Sequence, residues 1–393
     1  MPVAVRALFD AALALLRQSS SGTVGLARLA GVVDLDAVPE RYRTRVARAL
    51  DAAVQATGEP LPLSRIERDL RSAWGRRPAD VLDELELEPL AVTASAQVHR
   101  GTLDGAAVAV KLRRPGLEAA VRSDLVLLDA LAAPLARVFG AADPGALLRE
   151  ARERVLDELD LEHAGATQRR FARAVRRLDG ITVPAVHGEL SAPGVLVTEL
   201  LEGPTLADGS ARADAGAVAR ALVVFHCGAP RALALMPADP RADHVVLLDR
   251  RGVGLLGTAA ARAVDRGRLD AALDALAALR TQDAGAFVDA VGRMRLLAAG
   301  PAAATYALVD ELAGDLLRGP VRVNAALVAE RTERALAALP RALPLADRLT
   351  PDRADLWPLR MLGQLAAVLA GLDVVEDWAA LALDAGRAGW ENR

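Results

Sequence analysis

Short runs of β-compatible sequence interrupt a chain that otherwise has helical periodicity, and this arrangement restricts the fold more than any other feature. The β-compatible runs lie between Leu90 and Glu199 and enclose one long helical stretch. From Ala213 onward nearly everything is helical, apart from a β-like interval over Val245 to Leu256. A strand-rich part followed by a helical part predicts a bilobal α+β fold.

The pattern also predicts individual elements and their grouping. An Asp-Gly turn signal at Asp104 and Gly105 predicts a hairpin between two of the strands. Helices are predicted over residues 3–16, 40–56, 63–74, 80–87, 116–137 and 145–176, and strands over 93–99, 106–112, 181–186, 195–199 and 245–256. We expect an amino-terminal helical extension over 1–86, a strand-rich lobe over 87–203 and a helical lobe over 204–393.

The basic residues are distributed unusually, because the 48 of them include a single lysine, Lys111. Arginine therefore occupies every basic position except this one. An arginine cannot always replace a lysine, since a compact ammonium group fits sites that a planar guanidinium does not. Chance retention of one lysine is the alternative explanation.

Composition excludes several classes of protein. A net charge of -3 provides no overall basic field for nucleic acid, and 3% aromatic residues are too few for a base-stacking surface. The single cysteine, Cys227, cannot form an internal disulfide, and the best apolar stretch, Met361 to Ala370, is too short to span a bilayer. We expect a cytoplasmic protein without a transmembrane segment, or one peripheral at the membrane.

Lys111 follows a strand pattern that is typical of phosphoryl-transfer proteins. Val108 to Lys111 read VAVK, and the small residues Ala94, Ser95 and Ala96 precede them on the predicted hairpin. A kinase site needs a small-residue loop over the phosphates and a strand lysine that contacts them, in this order. The order predicts a protein-kinase-like fold, with a solvated lysine at a sheet edge as the alternative.

A helix downstream provides candidate partners for that lysine. Glu158 and Asp160 are favoured among its acidic residues, because a kinase lysine is oriented by a helix carboxylate. A solvated face of arginines and glutamates would explain the same residues, and it is the commoner role of charges on a helix.

Three segments together resemble the UbiB/AarF family of atypical kinase-like proteins. They read AVTASAQVHRGTLDGAAVAVKLRRPGL, DELD and VPAVHGELSAPGVLVTELLEGPTL. The family has an Ala-rich loop followed by Gln-Val-His, here Gln97 to His99, and an ExD motif, here Glu158 to Asp160. The resemblance implies a kinase-like fold, ATP or ADP binding, and a link to isoprenoid lipid or quinone metabolism. It places the nucleotide against the Ala-rich loop, Lys111 and the connecting strand at Glu199 and Leu201.

The chain departs from the family where magnesium would bind. The family's catalytic loop HADPHPGN corresponds to residues 237–244, in which Asp239 is kept as the candidate catalytic residue and the expected Asn is His244. The aspartate of the metal-binding DFG motif corresponds to Gly257. An imidazole suits magnesium poorly and a glycine has no side-chain ligand, so magnesium binding is not expected. The amino-terminal KxGQ motif also lacks its lysine, at residues 25–28.

Three functions follow from this half-kept site. The first is a nucleotide-binding pseudokinase with weak or absent phosphoryl transfer and a regulatory or scaffolding role, whose partner is a protein or a lipid-pathway enzyme. The second is an active kinase or ATPase with rearranged metal ligation, using Asp239 as base and Asp243 as ligand. The third is a structural relic without a nucleotide site.

Two further sites are weaker alternatives. A metal cluster of Asp239, Asp243 and His244, or a nucleophile and base formed by Cys227 and His226, would use residues that are close in sequence. Neighbours on a helix point about 100° apart, so core packing explains Cys227 and His226 better.

Overall fold

The computed structural model describes residues 59–93, 95–117, 159–208, 214–249, 252–346, 348–349 and 356–390, and the isolated positions 44, 47 and 48. Ala94 and Glu158, the KxGQ positions 25–28, the predicted helix over 3–16, nearly all of the predicted helices over 40–56 and 116–137, and the first part of the predicted helix over 145–176 lie outside these residues. The mixed helices and small sheets confirm the predicted α+β class.

An antiparallel sheet forms the first part of the described fold. Its strands are β1 (Glu84–Val92), β2 (Ala96–Leu103), β3 (Ala106–Arg113) and β5 (Val195–Glu199), in the spatial order β1-β2-β3-β5. Helix α1 (Leu63–Trp74) packs Ile66 and Leu70 against Val108, Val110 and Leu112 of β3. These contacts make one face of the sheet a closed apolar core, so that functional side chains of β3 must lie on the other face.

The predicted hairpin is confirmed and joins β2 to β3. Asp104 and Gly105 form its two-residue turn, with φ values of 48° and 75°. Positive φ at both positions is the turn geometry that matches the twist of paired strands. The register pairs Val98 with Lys111 and His99 with Val110.

Helices dominate the remainder of the fold. They are α2 (Leu161–Ala174), α3 (Ala215–Leu233), α4 (Arg266–Thr281), α5 (Ala284–Arg293), α6 (Ala299–Leu317), α7 (Ala325–Ala346), α8 (Leu356–Leu372) and α9 (Trp378–Ala388). Phe225 of α3 stacks on Trp390 at 5.4 Å between ring centroids, inside a core that includes α8. No helix among the described residues is long and apolar enough to cross a membrane.

Several short strands position the loops of the helical part. They are β4 (Ile181–Thr182), β6 (Leu235–Pro237), β7 (Val245–Leu248), β8 (Gly252–Leu255), β9 (Ala261–Ala263), β10 (Val321–Val323) and β11 (Val374–Glu376). β6 pairs with β9, and β7 pairs with β8. The two pairs hold the ends of residues 238–244 and 256–260, so these two loops lie side by side.

Two sequence predictions are wrong. Residues 80–87 do not form a helix, because a 3₁₀ turn ends at Asp80 and β1 begins at Glu84. Pairing with β2 outweighs the helix propensity of this Glu- and Leu-rich stretch. The strand predicted over 181–186 is only Ile181–Thr182, which pairs with β8 in parallel, whereas Val186 forms a single bridge to Thr198 of β5.

The segment after β5 connects the two lobes and is attached to β7. Leu247 N–H donates to the Pro204 carbonyl at 2.9 Å, and Thr205 bridges to Val246. Gly203 has a φ of 152°, and a Cβ there would lie 2.2 Å from the Leu247 carbonyl oxygen. Only a glycine lets the connecting segment approach β7 this closely.

We predict that Gly203→Ala lowers the free energy of unfolding by about 3 kcal/mol, because the added methyl group meets a backbone oxygen that cannot move aside. Gly105→Ala is the control, since Gly105 also has positive φ but its Cβ would meet nothing within 4 Å. That variant should lose only about 1 kcal/mol. Urea denaturation of both variants measures the difference, and equal losses would show that the contact with Leu247 is unimportant.

Candidate functional site

Lys111 lies on a central strand of the sheet and not at an edge, because β3 pairs with both β2 and β5. Its direct partners are Val98 and Leu196. Residues paired across an antiparallel ladder point to the same face. Val110 and Leu112 point into the core against α1, so Lys111 lies on the opposite face.

The small-residue loop before β2 is held by one threonine. Thr93 Oγ1 accepts from the Ala96 N–H and donates to the Ala96 carbonyl, both at 3.0 Å. Ser95 is partly buried and its carbonyl accepts the Arg114 N–H at 3.0 Å. Ser95 and Ala96, the described part of the loop predicted to cover phosphates, therefore lie next to the end of β3.

The Gln-Val-His segment that follows has a structural role. Gln97 and His99 are fully buried on the α1 side of the sheet. His99 Nδ1–H donates to the Glu86 carbonyl at 2.8 Å, which leaves Nε2 to accept from the Gln97 amide at 2.7 Å. Gln97 Oε1 accepts the Leu61 N–H at 2.6 Å. This chain of hydrogen bonds joins the segment before α1 to β1 and β2.

Leu159 and Asp160, the described part of the ExD segment, lie near the end of β3. Arg113, two residues after Lys111, donates from a guanidinium nitrogen to the Leu159 carbonyl at 3.0 Å. Asp160 is the N-cap of α2, and its Oδ1 accepts the Glu162 and His163 N–H groups. Part of this carboxylate is thus used to begin a helix. The contacts of Glu158 lie outside the described residues.

The predicted nucleotide-binding positions on the connecting strand lie where β5 leaves the sheet. Glu199 is exposed, and its Oε2 accepts the Ala185 N–H at 3.2 Å. Leu200 N–H continues the sheet by donating to the Ala107 carbonyl. Leu201 is partly buried and packs on Gly254 of β8, so closely that a Cβ at Gly254 would come within 2.5 Å of it.

Asp239 is buried and is held by α8. Only 7% of its surface is exposed, Arg360 donates to its Oδ1 at 3.0 Å, and the Gln364 amide approaches the same oxygen at 3.4 Å. Arg360 also lies over the Trp357 ring at 5.2 Å from the centroid. The candidate catalytic carboxylate is therefore charge-compensated by a side chain of the helical lobe.

His244 and Gly257, the two positions expected to hold metal ligands, are in contact. A Cβ at Gly257 would lie 2.5 Å from His244 Nδ1 and 2.7 Å from the Asp239 carbonyl oxygen. The imidazole thus occupies the space of any side chain at position 257. His244 Nδ1 donates to the Asp239 carbonyl oxygen at 3.4 Å and lies 3.3 Å from Asp239 Oδ2.

Electrostatics connects this cluster with the strand lysine. Burial lowers the pKa of His244, and the positive charges of Arg241 and Lys111 lower it further, against the opposing effects of Asp239 and Asp243. The charge of Lys111 therefore acts on the His244 imidazole. The region between the Lys111 face of the sheet and residues 238–244 is called the cleft. Arg241 in turn donates through Nε to Asp243 Oδ1 at 2.9 Å, so the alternative metal carboxylate already has an arginine partner.

Sequence reasoning missed Arg360 and Gln364. Both are on α8, whose sequence LWPLRMLGQLAAVLAGL has no other polar residue. Two polar residues four positions apart lie on one face of a helix, and burial on an apolar helix requires a polar partner. This spacing was a usable signal that α8 contacts a polar site.

Comparison with protein families identifies the fold of this site. Residues 53–285, more than half of the chain, match the ABC1 atypical kinase-like domain. The chain belongs to the ABC1 atypical kinase-like family. The matched range includes Lys111, Asp239, His244 and Gly257, and the resemblance to the UbiB/AarF family is thereby confirmed.

Curated relatives of this ABC1-family chain match over part of their length. The AarF domain-containing protein kinase 1 of Xenopus tropicalis is 31% identical over 172 residues, which are 44% of this chain and 32% of that protein. The probable protein kinase UbiB of Marinobacter nauticus is 29% identical over 167 residues, which are 42% of this chain and 30% of that protein. The matched segment thus spans about a third of the relatives' length.

One solved structure has the same overall fold as the ABC1-family chain. It is the complex of Rv3197 with erythromycin from Mycobacterium tuberculosis, with a TM-score of 0.66 and 21% sequence identity. The likeness covers 96% of this chain and 94% of the other. At this identity the comparison shows the fold alone.

The ABC1 fold implies magnesium, but the residues present do not fit it. Magnesium takes hard oxygen ligands in near-octahedral geometry. Here one ligand position is an imidazole and the other a glycine whose side-chain space that imidazole fills. No cluster of three or more His, Cys, Asp or Glu side chains within the described ranges is arranged to hold a metal ion.

Cys227 and His226 are core residues of α3. Burial raises the pKa of the Cys227 thiol to about 12, so it stays protonated at neutral pH. His226 Nδ1–H donates to the Leu222 carbonyl at 2.8 Å, and its ring lies edge-on to Phe225 at 5.0 Å. These contacts support core packing instead of a nucleophile and base.

We predict that Gly257→Ala lowers the free energy of unfolding by roughly 2 kcal/mol, because the new methyl group overlaps the His244 ring and a backbone oxygen. Gly363→Ala on α8 is the control, because its Cβ would meet nothing within 4 Å. A mid-helix Gly→Ala change there should stabilise by about 1 kcal/mol. Chemical denaturation distinguishes the opposite signs, and a neutral Gly257→Ala would contradict the described packing.

We also predict a loss of stability in acid that depends on His226. Burial lowers the pKa of His226 to about 4, below its ordinary value of 6.5. Between pH 6.5 and pH 4 the unfolded chain therefore binds a proton at His226 that the folded chain does not bind. The contribution of neutral His226 to stability is complete above pH 6.5 and is lost as the pH falls toward 4. The loss is about 3 kcal/mol.

The measurement is urea denaturation from pH 7 to pH 4. In His226→Gln the free energy of unfolding should fall by about 3 kcal/mol less over this pH range than in the unsubstituted protein. His187→Gln is the control, because the His187 side chain is 32% exposed, and it should keep the acid loss of the unsubstituted protein. If His226→Gln has the same pH profile as the unsubstituted protein, the loss of stability in acid does not come from His226.

Proposed function

We propose that this ABC1-family chain is a nucleotide-binding pseudokinase with weak or absent phosphoryl transfer and a regulatory or scaffolding role. The observation that carries the proposal is the state of Asp239. Its carboxylate is buried and compensated by Arg360, beside a metal position filled by the His244 imidazole. The lysine-bearing half of the site is kept, whereas the metal-bearing half is replaced.

Support for nucleotide binding comes from the arrangement of the kept half. Lys111 lies on the functional face of β3, and the loop at Ser95 and Ala96 closes one end of that face. The connecting strand at Glu199 and Leu201 lies at the other end of β5. ATP or ADP would contact these groups, with the Lys111 ammonium interacting with phosphate.

The argument against efficient transfer is electrostatic. A transferring phosphoryl group accumulates negative charge that bound metal normally neutralises. Removing one well-placed stabilising group costs about 3 kcal/mol of barrier, and two metal ligands are replaced here. The Asp239 carboxylate is also held in an ion pair with Arg360 at 3.0 Å.

We predict that ATP or ADP in excess EDTA raises the melting temperature by about 2 °C at tenfold excess over the dissociation constant. Lys111→Ala should abolish the shift, because it removes the phosphate-facing ammonium. Lys111→Arg should keep part of it, because charge is retained in a different shape. Arg322→Ala is the distant control, since Arg322 forms an exposed ion pair with Asp373, and it should shift like the unsubstituted protein.

Turnover assays separate this proposal from the active-enzyme alternative. Magnesium-dependent ATP hydrolysis that both Lys111→Ala and Asp239→Ala abolish would establish an atypical kinase or ATPase with rearranged ligation. No thermal shift at millimolar nucleotide would instead leave a kinase-like fold that acts as a scaffold without nucleotide. A Lys111-dependent shift without turnover is the expected result.

A further inference from the structure

The two carboxylates of the loop between β6 and β7, Asp239 and Asp243, each face an arginine. Arg360 donates to Asp239 Oδ1 at 3.0 Å, and Arg241 donates through Nε to Asp243 Oδ1 at 2.9 Å. The Arg241 side chain is itself largely buried, so its charge acts through a poorly screened environment. In a kinase site bound metal ions compensate negative charge, whereas here arginine side chains compensate the two carboxylates.

The two arginines bring positive charge to the loop where the metal ligands would lie. Arg360 pairs with Asp239 and Arg241 pairs with Asp243, so both carboxylates are compensated before any ligand binds. Lys111 adds a further positive charge that acts on the same loop at His244.

We propose that Arg360 replaces magnesium as the charge-compensating group, so that the cleft binds the metal-free nucleotide polyanion and magnesium weakens binding. The inference rests on the proposed nucleotide-binding function and specifies the form of the ligand.

Two physical effects act in the same direction. Magnesium removes a large part of the negative charge of the nucleotide, so the Lys111 ammonium attracts the metal-free form more strongly. A magnesium ion carried in with the phosphates would also stand near the Arg360 guanidinium without oxygen ligands to replace its water. Magnesium-bound ATP is therefore attracted less strongly than metal-free ATP, and its metal ion is repelled by the Arg360 guanidinium.

Calorimetric titration of ATP in excess EDTA and in excess magnesium tests the inference. For the unsubstituted protein, magnesium should weaken ATP binding by about tenfold. In Arg360→Gln the Asp239 carboxylate loses its arginine partner and can interact more strongly with a cation, so magnesium should no longer weaken binding. Arg360→Lys keeps the charge and should behave like the unsubstituted protein, as should the distant control Arg322→Gln.

A second variant keeps the test valid if Arg360→Gln does not fold. Asp239→Asn preserves the shape of the buried side chain and removes its negative charge while Arg360 remains. Metal-free ATP should then bind more tightly than to the unsubstituted protein, and the weakening by magnesium should exceed tenfold.

The outcomes distinguish this inference from the proposed function. Tighter ATP binding in magnesium, or the same magnesium response in Arg360→Gln and the unsubstituted protein, would overturn the role of Arg360 and leave nucleotide binding intact. No ATP binding with or without magnesium would overturn the proposed function itself. Weakening by magnesium that disappears in Arg360→Gln is the result that supports the inference.

Discussion

The buried ion pair between Asp239 and Arg360 determines the character of the whole site. It joins the loop after β6 to α8, two elements 121 residues apart in sequence. Removing either partner would leave the other charge buried without compensation, which is strongly unfavourable. The pair therefore stabilises the packing of α8 and also prevents the carboxylate from serving as an open anionic site.

The lysine-bearing half of the cleft and the metal-ligand half differ in what they require of their residues. On the sheet, Lys111 is positioned by main-chain pairing on both sides of β3. This pairing does not depend on particular side chains at the neighbouring positions. In the loops, metal binding depends on side chains converging at one point, and a single bulky replacement can fill that point. His244 fills it against Gly257, so the kinase-like frame persists although its metal ligands do not.

Sequence patterns predicted those parts of the fold that depend on local interactions. The hairpin at Asp104 and Gly105 and the helix over Leu63–Trp74 are where the patterns place them. Residues 80–87 were predicted wrongly, since glutamate and leucine favour a helix in isolation but alternate well in a strand once β2 is available for pairing. Non-local pairing cannot be seen in a local window of sequence.

For the site, the sequence alone determined which chemical groups are present. The lone lysine, the retained Asp239 and the replacements at His244 and Gly257 all follow from the order of residues, because a missing ligand is missing in any conformation. Only the tertiary structure decided what those groups contact. Arg360 reaches Asp239 because helix packing brings α8 against the loop after β6, and no spacing along the chain encodes that distance.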